Sequence, residues 1–211
     1  MKTLGVIAQK GGTGKTTLSV HLAVQATLEG LHVLLLDMDP QASATAWWKR
    51  RSDAHPELIQ GRGDALAGIL KHAREQAYDL VIADTAPHSS ADSSACAQLS
   101  DHVIIPTRPA ILDLDAIGAT TSIVNEVRCS AAIVLNACPP PKRYGEPHIV
   151  SEAREALELY GLPVCDVAVS QRAAFSHALI GGLAVAEFDA SGKAAGEMAR
   201  LWGALKEDLD P

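Results

Sequence analysis

Short apolar runs recur along the chain, and each is followed by a turn and a stretch compatible with a helix. The runs are TLGVIA (3–8), HVLLLD (32–37), LVIAD (80–84), HVIIPT (102–107), AAIVLN (131–136) and PVCDVAV (163–169). Apolar residues at consecutive positions are typical of strands that are covered on both faces. The pattern therefore predicts six buried strands separated by helices.

The segment between the first two runs has the spacing of an amphipathic helix. Leu18, Leu22 and Ala26 recur every four residues and share one helical face, and Gly30 suits the end of that helix. Strand, helix and strand repeated in this way predict an α/β fold. We expect a mostly parallel, twisted sheet with helices on both faces and right-handed connections.

Length and composition limit the class of protein. The chain has 211 residues, 47% of them hydrophobic and 20% charged, which fits one globular domain spanning 1–211. The proline-rich segment 138–147 is predicted to be a surface loop, too short for an interdomain linker. No apolar run approaches the roughly 20 residues of a membrane span, and the N-terminus does not resemble a secretion signal. We expect a cytoplasmic protein.

Net charge and cysteine spacing bear on two kinds of site, a surface for nucleic acid or anionic lipid and a site built from cysteines. The formal net charge of −7 gives no global reason to bind nucleic acid or anionic lipid, which leaves a local basic patch as the remaining route. The cysteines Cys96, Cys129, Cys138 and Cys165 form no C-x-x-C pair, so a zinc knuckle or a redox dithiol is not expected. We interpret them as reduced thiols.

Polar side chains fall at or just after the ends of the predicted strands. They are Gln9, Asp37, Asp39, Asp84, Thr107 and Asn136. Ligands of open α/β sheets bind at the carboxyl ends of the strands. The sequence therefore predicts that the functional site lies at this edge of the sheet.

The first strand continues into AQKGGTGKTT (8–17), which has the pattern of a phosphate-binding loop opening into a helix. Backbone N–H groups and a helix N-terminus then surround one point, as phosphate oxygens require. In this interpretation Lys15 reaches the β- and γ-phosphates, Thr16 binds Mg²⁺ and Thr17 supports the α-phosphate. A flexible turn would explain the glycines but not G-K-T-T. The predicted nucleotide-binding residues of the loop are Lys10, Gly11, Gly12, Thr13, Gly14, Lys15, Thr16 and Thr17.

Gln9 stands where the ordinary Walker pattern has its first glycine, so the motif here is K-G-G-x-G-K-[ST]-T. This motif resembles the deviant Walker A of the ParA/MinD group of P-loop ATPases, and the resemblance extends from residue 3 to about residue 205. It implies that Lys10 reaches across a dimer interface to the phosphates bound by the partner subunit, so that ATP controls dimerisation. The alternative is that Lys10 is only a solvated charge beside the loop.

Two further segments resemble the acidic motifs of that group. LLLDMDPQAS (34–43) resembles its switch I, and alternation along an extended backbone would point Asp37 and Asp39 to the same side. The resemblance assigns the attacking water to Asp39 and the hydration shell of the metal to Asp37. Because D-P often opens a turn, one aspartate alternatively caps a turn, and two capping roles are less expected. YDLVIADTAP (78–87) resembles the Walker B segment, in which Asp84 binds Mg²⁺ or a water in its shell.

The segment 102–117 matches another part of the family pattern, in which a strand ending in proline leads into a helix. The resemblance implies that Pro106, Thr107 and Pro109 line the adenine and ribose pocket. Asn136, at the end of the next strand, is expected to hydrogen-bond the base. ATP and Mg²⁺ are the implied cofactors.

Within the family, the short chain best fits a small ParA or ParF type without a separate N-terminal helix-turn-helix domain. Such proteins bind DNA non-specifically as ATP dimers and leave it when a ParB-like partner stimulates a weak ATPase. The implied partners are a second copy of the chain, non-specific DNA and a ParB-like or cargo-adaptor protein, with nucleoid association in the ATP state. The alternatives are a positioning ATPase for a protein cargo and a MinD-like regulator that cycles on membranes.

Cations in two regions are candidates for DNA binding. Arg172, Lys193, Arg200 and Lys206 are spread through the C-terminal region, and WWKRR (47–51) combines aromatic and basic residues. The alternative for WWKRR is a helix end with its tryptophans packed on the sheet.

Two other family functions receive less support from the sequence. Met198, Leu201, Trp202 and Leu205 share one helical face, but the helix ends in Glu207, Asp208 and Asp210. Because a membrane-surface helix would be basic, we predict a helix that packs on the core. Cys96 and Cys129 lack the surroundings of an iron–sulfur site, so thiol packing is favoured for them.

Overall fold

The computed structural model describes residues 1–141 and 145–209 and contains a six-stranded parallel sheet. Its strands are β1 (Lys2–Val6), β2 (Val33–Asp37), β3 (Glu57–Gln60), β4 (Leu80–Asp84), β5 (His102–Thr107) and β6 (Ala131–Leu135). They lie in the order β3-β2-β4-β1-β5-β6, and every pairing is parallel. The carboxyl ends of all these strands therefore meet at one edge, as predicted. Residues 142–144 of the proline-rich segment, and Asp210, lie outside the described residues.

Helices connect the strands and cover both faces. They are α1 (Lys15–Leu28), α2 (Ser43–Trp48), α3 (Leu66–Glu75), α4 (Ser90–Leu99), α5 (Ile111–Leu114), α6 (Ile117–Val127), α7 (His148–Leu157), α8 (Ala173–Ile180), α9 (Val185–Phe188) and α10 (Lys193–Leu209). A 3₁₀ turn, Glu158–Tyr160, follows α7. No helix in the described part of the chain is long and apolar enough to cross a membrane.

Alternate strand residues face two separate cores, which explains the continuous apolar runs. In β2, Val33 and Leu35 pack with α1 and α10 on one face, whereas Leu34 and Leu36 pack with α3 on the other. Both faces bury their side chains, so each position of β2 must be apolar until the strand reaches Asp37 at its end. The predicted fold class is confirmed.

Helix α1 and helix α10 use the faces predicted from the sequence. Leu18, Leu22 and Ala26 are fully buried in the core beneath α1, and Gly30 has φ 91°, a left-handed conformation that ends the helical segment. The apolar face of α10, formed by Met198, Leu201, Trp202 and Leu205, is buried in the same core. Helix α10 therefore packs its apolar face on the core, as the sequence predicted.

The strand prediction was wrong for one segment and omitted another. Residues 163–169 form no regular strand: Cys165 and Val169 donate hydrogen bonds to β6, but the Arg154 guanidinium binds the carbonyl oxygens of Cys165 and Asp166 at 2.7 and 2.8 Å. The Arg154 side chain therefore occupies two carbonyl oxygens of this segment, which a regular strand would pair with the backbone of a neighbouring strand. The omitted strand is β3, an edge strand that pairs with β2, is half-exposed and has no continuous apolar run.

Candidate nucleotide site

The phosphate loop (residues 8–15) lies between β1 and α1, at the carboxyl edge of the sheet. Gly12 has φ 77° and Gly14 has φ 98°, backbone angles that residues with a Cβ rarely adopt. Gly14 immediately precedes α1, and its carbonyl accepts the first helical hydrogen bond, from the N–H of Leu18. The loop and the free N–H groups of the first turn thus form an anion-binding concavity.

Lys15 is buried at the base of this loop, with only 6% of its surface exposed. Its Nζ donates hydrogen bonds to the carbonyl oxygens of Ala8, at 2.9 Å, and Lys10, at 3.4 Å. Burial lowers the pKa of the ammonium group, while the carboxylates of Asp84 and Asp39 act in the opposite direction. The structure therefore places Lys15 close to two of the aspartates that the sequence assigns to the metal and the attacking water.

Lys10 lies at the mouth of the loop and contacts the short helix α5. Its Nζ donates a hydrogen bond to the Leu112 carbonyl oxygen at 2.7 Å and lies 3.4 Å from a carboxylate oxygen of Asp113. The side chain remains 34% exposed. In this monomer Lys10 is held within its own chain rather than being a free solvated charge.

Asp84, at the end of β4, is a buried carboxylate with an open position. Its Oδ1 accepts a hydrogen bond from the Ser19 hydroxyl at 3.2 Å, and its Oδ2 has no hydrogen-bond partner among the described residues. Burial raises the pKa of Asp84 to about 7, the nearby Asp37 adds to this effect, and the Thr16 hydroxyl and Lys15 partly offset it. An unpartnered buried carboxylate oxygen beside a threonine hydroxyl fits a hard cation such as Mg²⁺.

Asp37 and Asp39 both cap backbone groups, although the sequence interpretation considered two capping roles less expected than one. Asp37 accepts hydrogen bonds from the N–H and the hydroxyl of Thr45, at 2.8 and 2.7 Å, and from the N–H of Asp39 at 3.2 Å. Asp39 accepts a hydrogen bond from the Gln41 N–H at 2.8 Å. Asp37 therefore ties β2 to the start of α2, and the partly exposed Asp39 is the freer carboxylate.

No group of three or more His, Cys, Asp or Glu side chains converges within residues 1–141 and 145–209 as a protein-only metal cage would. Mg²⁺ usually takes one or two protein oxygens and completes its shell with water and substrate phosphates. The donor set around Asp84 and Thr16 fits that kind of ion. It does not fit a preformed zinc or iron–sulfur site.

Of the residues predicted to surround the base, Asn136 already binds the phosphate loop. Asn136 donates from Nδ2 to the Thr13 carbonyl oxygen at 2.8 Å, and its backbone N–H donates to Thr107. Thr107 is buried, and its hydroxyl has no partner in the part of the chain that the structure describes. Pro106 and Pro109 are buried on either side of it. The predicted contacts of these residues with adenine stay predictions.

Several residues of the site were not predicted. Ser19 and Thr45 hold the carboxylates of Asp84 and Asp37, and Thr120 accepts the N–H of Gln9 at 3.0 Å. The only sequence signal for Ser19 is its position four residues after Lys15 on the same helical face. Thr45 and Thr120 meet their partners through tertiary packing, which their sequence positions do not reveal.

The cations proposed for DNA binding differ in their availability. Arg172 is only 19% exposed and forms a salt bridge with Glu197 at 2.6 Å, so it is not a free surface cation. Lys206 pairs with Glu29 at 2.6 Å. Lys193 and Arg200 are both exposed on α10.

Most of the WWKRR segment has a structural role, as its alternative interpretation predicted. Trp47 is buried and donates to the Leu183 carbonyl oxygen, and Trp48 donates to that of Pro56. Arg51 stacks over the Trp47 ring at 4.8 Å and binds both carboxylate oxygens of Glu187. The segment thus fastens the end of α2 to the α8–α9 region.

The cysteines are free thiols. Cys96 and Cys138 are buried in the core beneath α4 and α7. Burial raises the pKa of both thiols to about 12, which disfavours the thiolate that metals and oxidants require.

Comparisons with known proteins identify the family of this chain. The family model described as the CobQ/CobB/MinD/ParA nucleotide binding domain matches residues 4–185. The maintenance of carboxysome distribution protein A of Gloeobacter kilaueensis is 32% identical over 99% of this chain and 94% of its own length. The chromosome-partitioning ATPase Soj of Thermus thermophilus is 28% identical over 61% of this chain and 63% of its own.

Among solved structures, apo McdA of Cyanothece superposes with a TM-score of 0.80 at 19% identity, covering 99% of both chains. At that identity the match supports the fold alone. The family model, in contrast, spans most of the chain and includes the phosphate loop and all three aspartates of the site. The chain therefore belongs to the CobQ/CobB/MinD/ParA nucleotide-binding family, as its motifs predicted.

Proposed function

We propose that this protein is an ATPase that dimerises with ATP, binds DNA non-specifically and positions a protein cargo. The observation that carries the ATPase proposal is the placement of Lys15, Thr16 and the open Oδ2 of Asp84 around one phosphate loop. The cargo proposal rests on the relative that is named for carboxysome distribution, because its match covers nearly the whole chain.

Within this proposal each site residue has one task. Lys15 and the loop N–H groups hold the β- and γ-phosphates, and Thr16 and Asp84 hold the cation. When bound, Mg²⁺ would neutralise phosphate charge. Asp39, the freer of the two switch aspartates, orients the attacking water, while Asp37 holds the start of α2 in place through Thr45.

An exposed apolar pair supports dimerisation on this face. Ile111 and Leu112 are 70% and 71% exposed, and Leu112 supplies the carbonyl oxygen that binds Lys10. Exposed large apolar side chains beside a charged ligand site are typical of a protein–protein contact. A second copy of the chain would cover this pair and bring Lys10 towards the facing nucleotide.

Two cations on α10 support DNA binding despite the acidic total charge. Lys193 and Arg200 are seven residues apart and therefore lie on one face of the helix. Glu197 lies between them, but it is neutralised by Arg172. The two exposed cations of this helix face would be presented twice by a dimer.

A band shift with non-specific duplex DNA tests the proposed cycle. Wild-type protein is compared in ATP, ADP and no nucleotide, all with Mg²⁺, together with Lys10→Gln and the distant surface variant Lys71→Gln. We expect DNA binding only with ATP, lost in Lys10→Gln and retained in Lys71→Gln. DNA binding without nucleotide, or its absence in every state, would contradict the proposal.

The second candidate function is partition of DNA with a ParB-like partner, which the match to Soj favours. Deletion of the gene in its own organism distinguishes the two functions. Positioning of a protein cargo predicts clustered or unevenly inherited protein assemblies with normal plasmid and chromosome inheritance. DNA partition predicts the reverse.

A further inference from the structure

Arg108 is a cation at the mouth of the phosphate loop to which neither motif nor comparison gives a role. It follows Thr107, the last residue of β5, and precedes Pro109; both neighbours are buried, whereas Arg108 is exposed. The buried flanks fix its backbone at the carboxyl edge of the sheet. Its Nη2 lies 3.7 Å from the position that a Cβ on Gly12 would occupy.

The guanidinium of Arg108 differs from the other cations of the site in having no partner. Lys10 is bound to Leu112 and Asp113, and Lys15 is bound to the Ala8 carbonyl oxygen. Within the described ranges, Arg108 makes no hydrogen bond, ion pair or ring contact. Its five N–H donors are therefore free, and a guanidinium fork binds two phosphate oxygens at once.

The charge balance of the site leaves room for a third cation. Asp84 and Asp39 act on Lys15, and Asp113 pairs with Lys10 at 3.4 Å, so neither lysine is an unpaired positive charge. ATP brings about four negative charges, of which Mg²⁺ offsets about two. A cation in addition to Lys15 would therefore offset phosphate charge that remains when the loop holds a triphosphate.

We propose that Arg108 binds the polyphosphate of ATP at the mouth of the loop, a role that rests on the proposed nucleotide site. The phosphates can belong to the same subunit or, if the apolar pair Ile111–Leu112 meets its copy, to the facing subunit. The chemistry is the same in both cases: a guanidinium fork on anionic oxygens beside Gly12.

Binding and self-association measured separately test this role. Fluorescent ATP and ADP are titrated into dilute wild-type protein, Arg108→Gln, Arg108→Lys and the control Lys71→Gln, with monomers verified by sedimentation. Self-association is then measured at higher concentration with a non-hydrolysable ATP analogue. Thermal unfolding without nucleotide checks that each variant is folded.

A loss of about tenfold in ATP affinity for Arg108→Gln, with a smaller loss for ADP, supports contact with the subunit's own nucleotide. Unchanged affinity with impaired self-association supports contact with the facing nucleotide. Arg108→Lys should retain part of either effect because it keeps the charge but not the fork. If Arg108→Gln matches Lys71→Gln in both measurements, the role of Arg108 is overturned, whereas a wild-type protein that binds no ATP overturns the nucleotide site itself.

Discussion

At the scale of single residues, the fold holds the buried imidazole of His21 in one ionisation state. His21 on α1 is 1% exposed; its Nδ1 accepts a hydrogen bond from the Val185 N–H at 3.1 Å, and its ring packs edge-on against Phe175. Burial lowers the pKa of His21 to about 3. The folded chain therefore keeps this imidazole neutral, with Nδ1 as the acceptor.

This environment predicts a specific loss of stability in mild acid. The unfolded chain protonates His21 below pH 6.5, whereas the folded chain protonates it only near pH 3. The free energy of unfolding therefore has its full value from this group above pH 6.5 and decreases as the pH falls below it. Between pH 7 and pH 5 the free energy of unfolding should fall by about 2 kcal/mol from this group. Urea denaturation of wild-type protein and His21→Gln at both pH values measures the difference.

His148→Gln is the matched control, because that side chain is 86% exposed. It should retain the wild-type dependence on pH, whereas His21→Gln keeps an acceptor for Val185 but cannot be protonated. Identical slopes for wild type and His21→Gln would show that burial of this imidazole does not control acid stability.

At the scale of elements, the turn between α8 and α9 is shaped by the chain that crosses it. Gly182 has φ 70°, and a Cβ at this position would overlap the backbone carbonyl group of Arg50. The Gly182 carbonyl oxygen also accepts a hydrogen bond from Arg51 at 2.9 Å. This close approach attaches the end of α2 to the C-terminal helices.

Gly182→Ala should therefore lower the free energy of unfolding by more than about 2 kcal/mol, because both the conformation and the space exclude a methyl group. Gly203→Ala in α10 is the control: no atom lies within 4 Å of its added Cβ, and removing a helical glycine should stabilise by about 0.5–1 kcal/mol. Chemical denaturation of both variants measures these two opposite changes in the free energy of unfolding. A neutral effect of Gly182→Ala would mean that the turn can move away from Arg50.

The elements also show which features a sequence can predict. Five of the six apolar runs are strands because burial on both faces leaves a continuous local signal. The edge strand β3 lacks that signal, since it is covered on one side only, and 163–169 is interrupted by the side chain of Arg154. Motif spacing located Lys15 and Asp84 correctly at one edge. The pairing of Lys10 with Asp113, and of Arg172 with Glu197, depends on tertiary packing that no local pattern records.

At the scale of the whole molecule, the phosphate loop opens onto a surface that also carries exposed apolar residues. This surface includes two cations, Lys10 and Arg108, and the apolar pair Ile111 and Leu112. The proposed dimer would bury the apolar pair and place cations from one subunit near the nucleotide of the other. Association and nucleotide binding are therefore expected to depend on the same surface.

An Ile111→Asn, Leu112→Asn double variant should lose ATP-dependent self-association, because it removes the exposed apolar contact without adding charge beside the phosphate loop. Binding of ATP by the monomer should be retained, since both side chains point into solvent. Sedimentation velocity with a non-hydrolysable ATP analogue measures association. Leu159→Asp, at a residue 88% exposed on the 3₁₀ turn, is the control and should associate as wild type does.

The contact between Asn136 and the phosphate loop affects how knock-out variants should be interpreted. The amide that binds Thr13 occupies the space a side chain at position 14 would need, and Gly14 also has a positive φ. The Asn136 side chain and the backbone conformation thus require glycine at position 14 before any phosphate binds. A Gly14 variant would therefore be a folding mutant as well as a binding mutant, and its phenotype in cells would not by itself report on nucleotide.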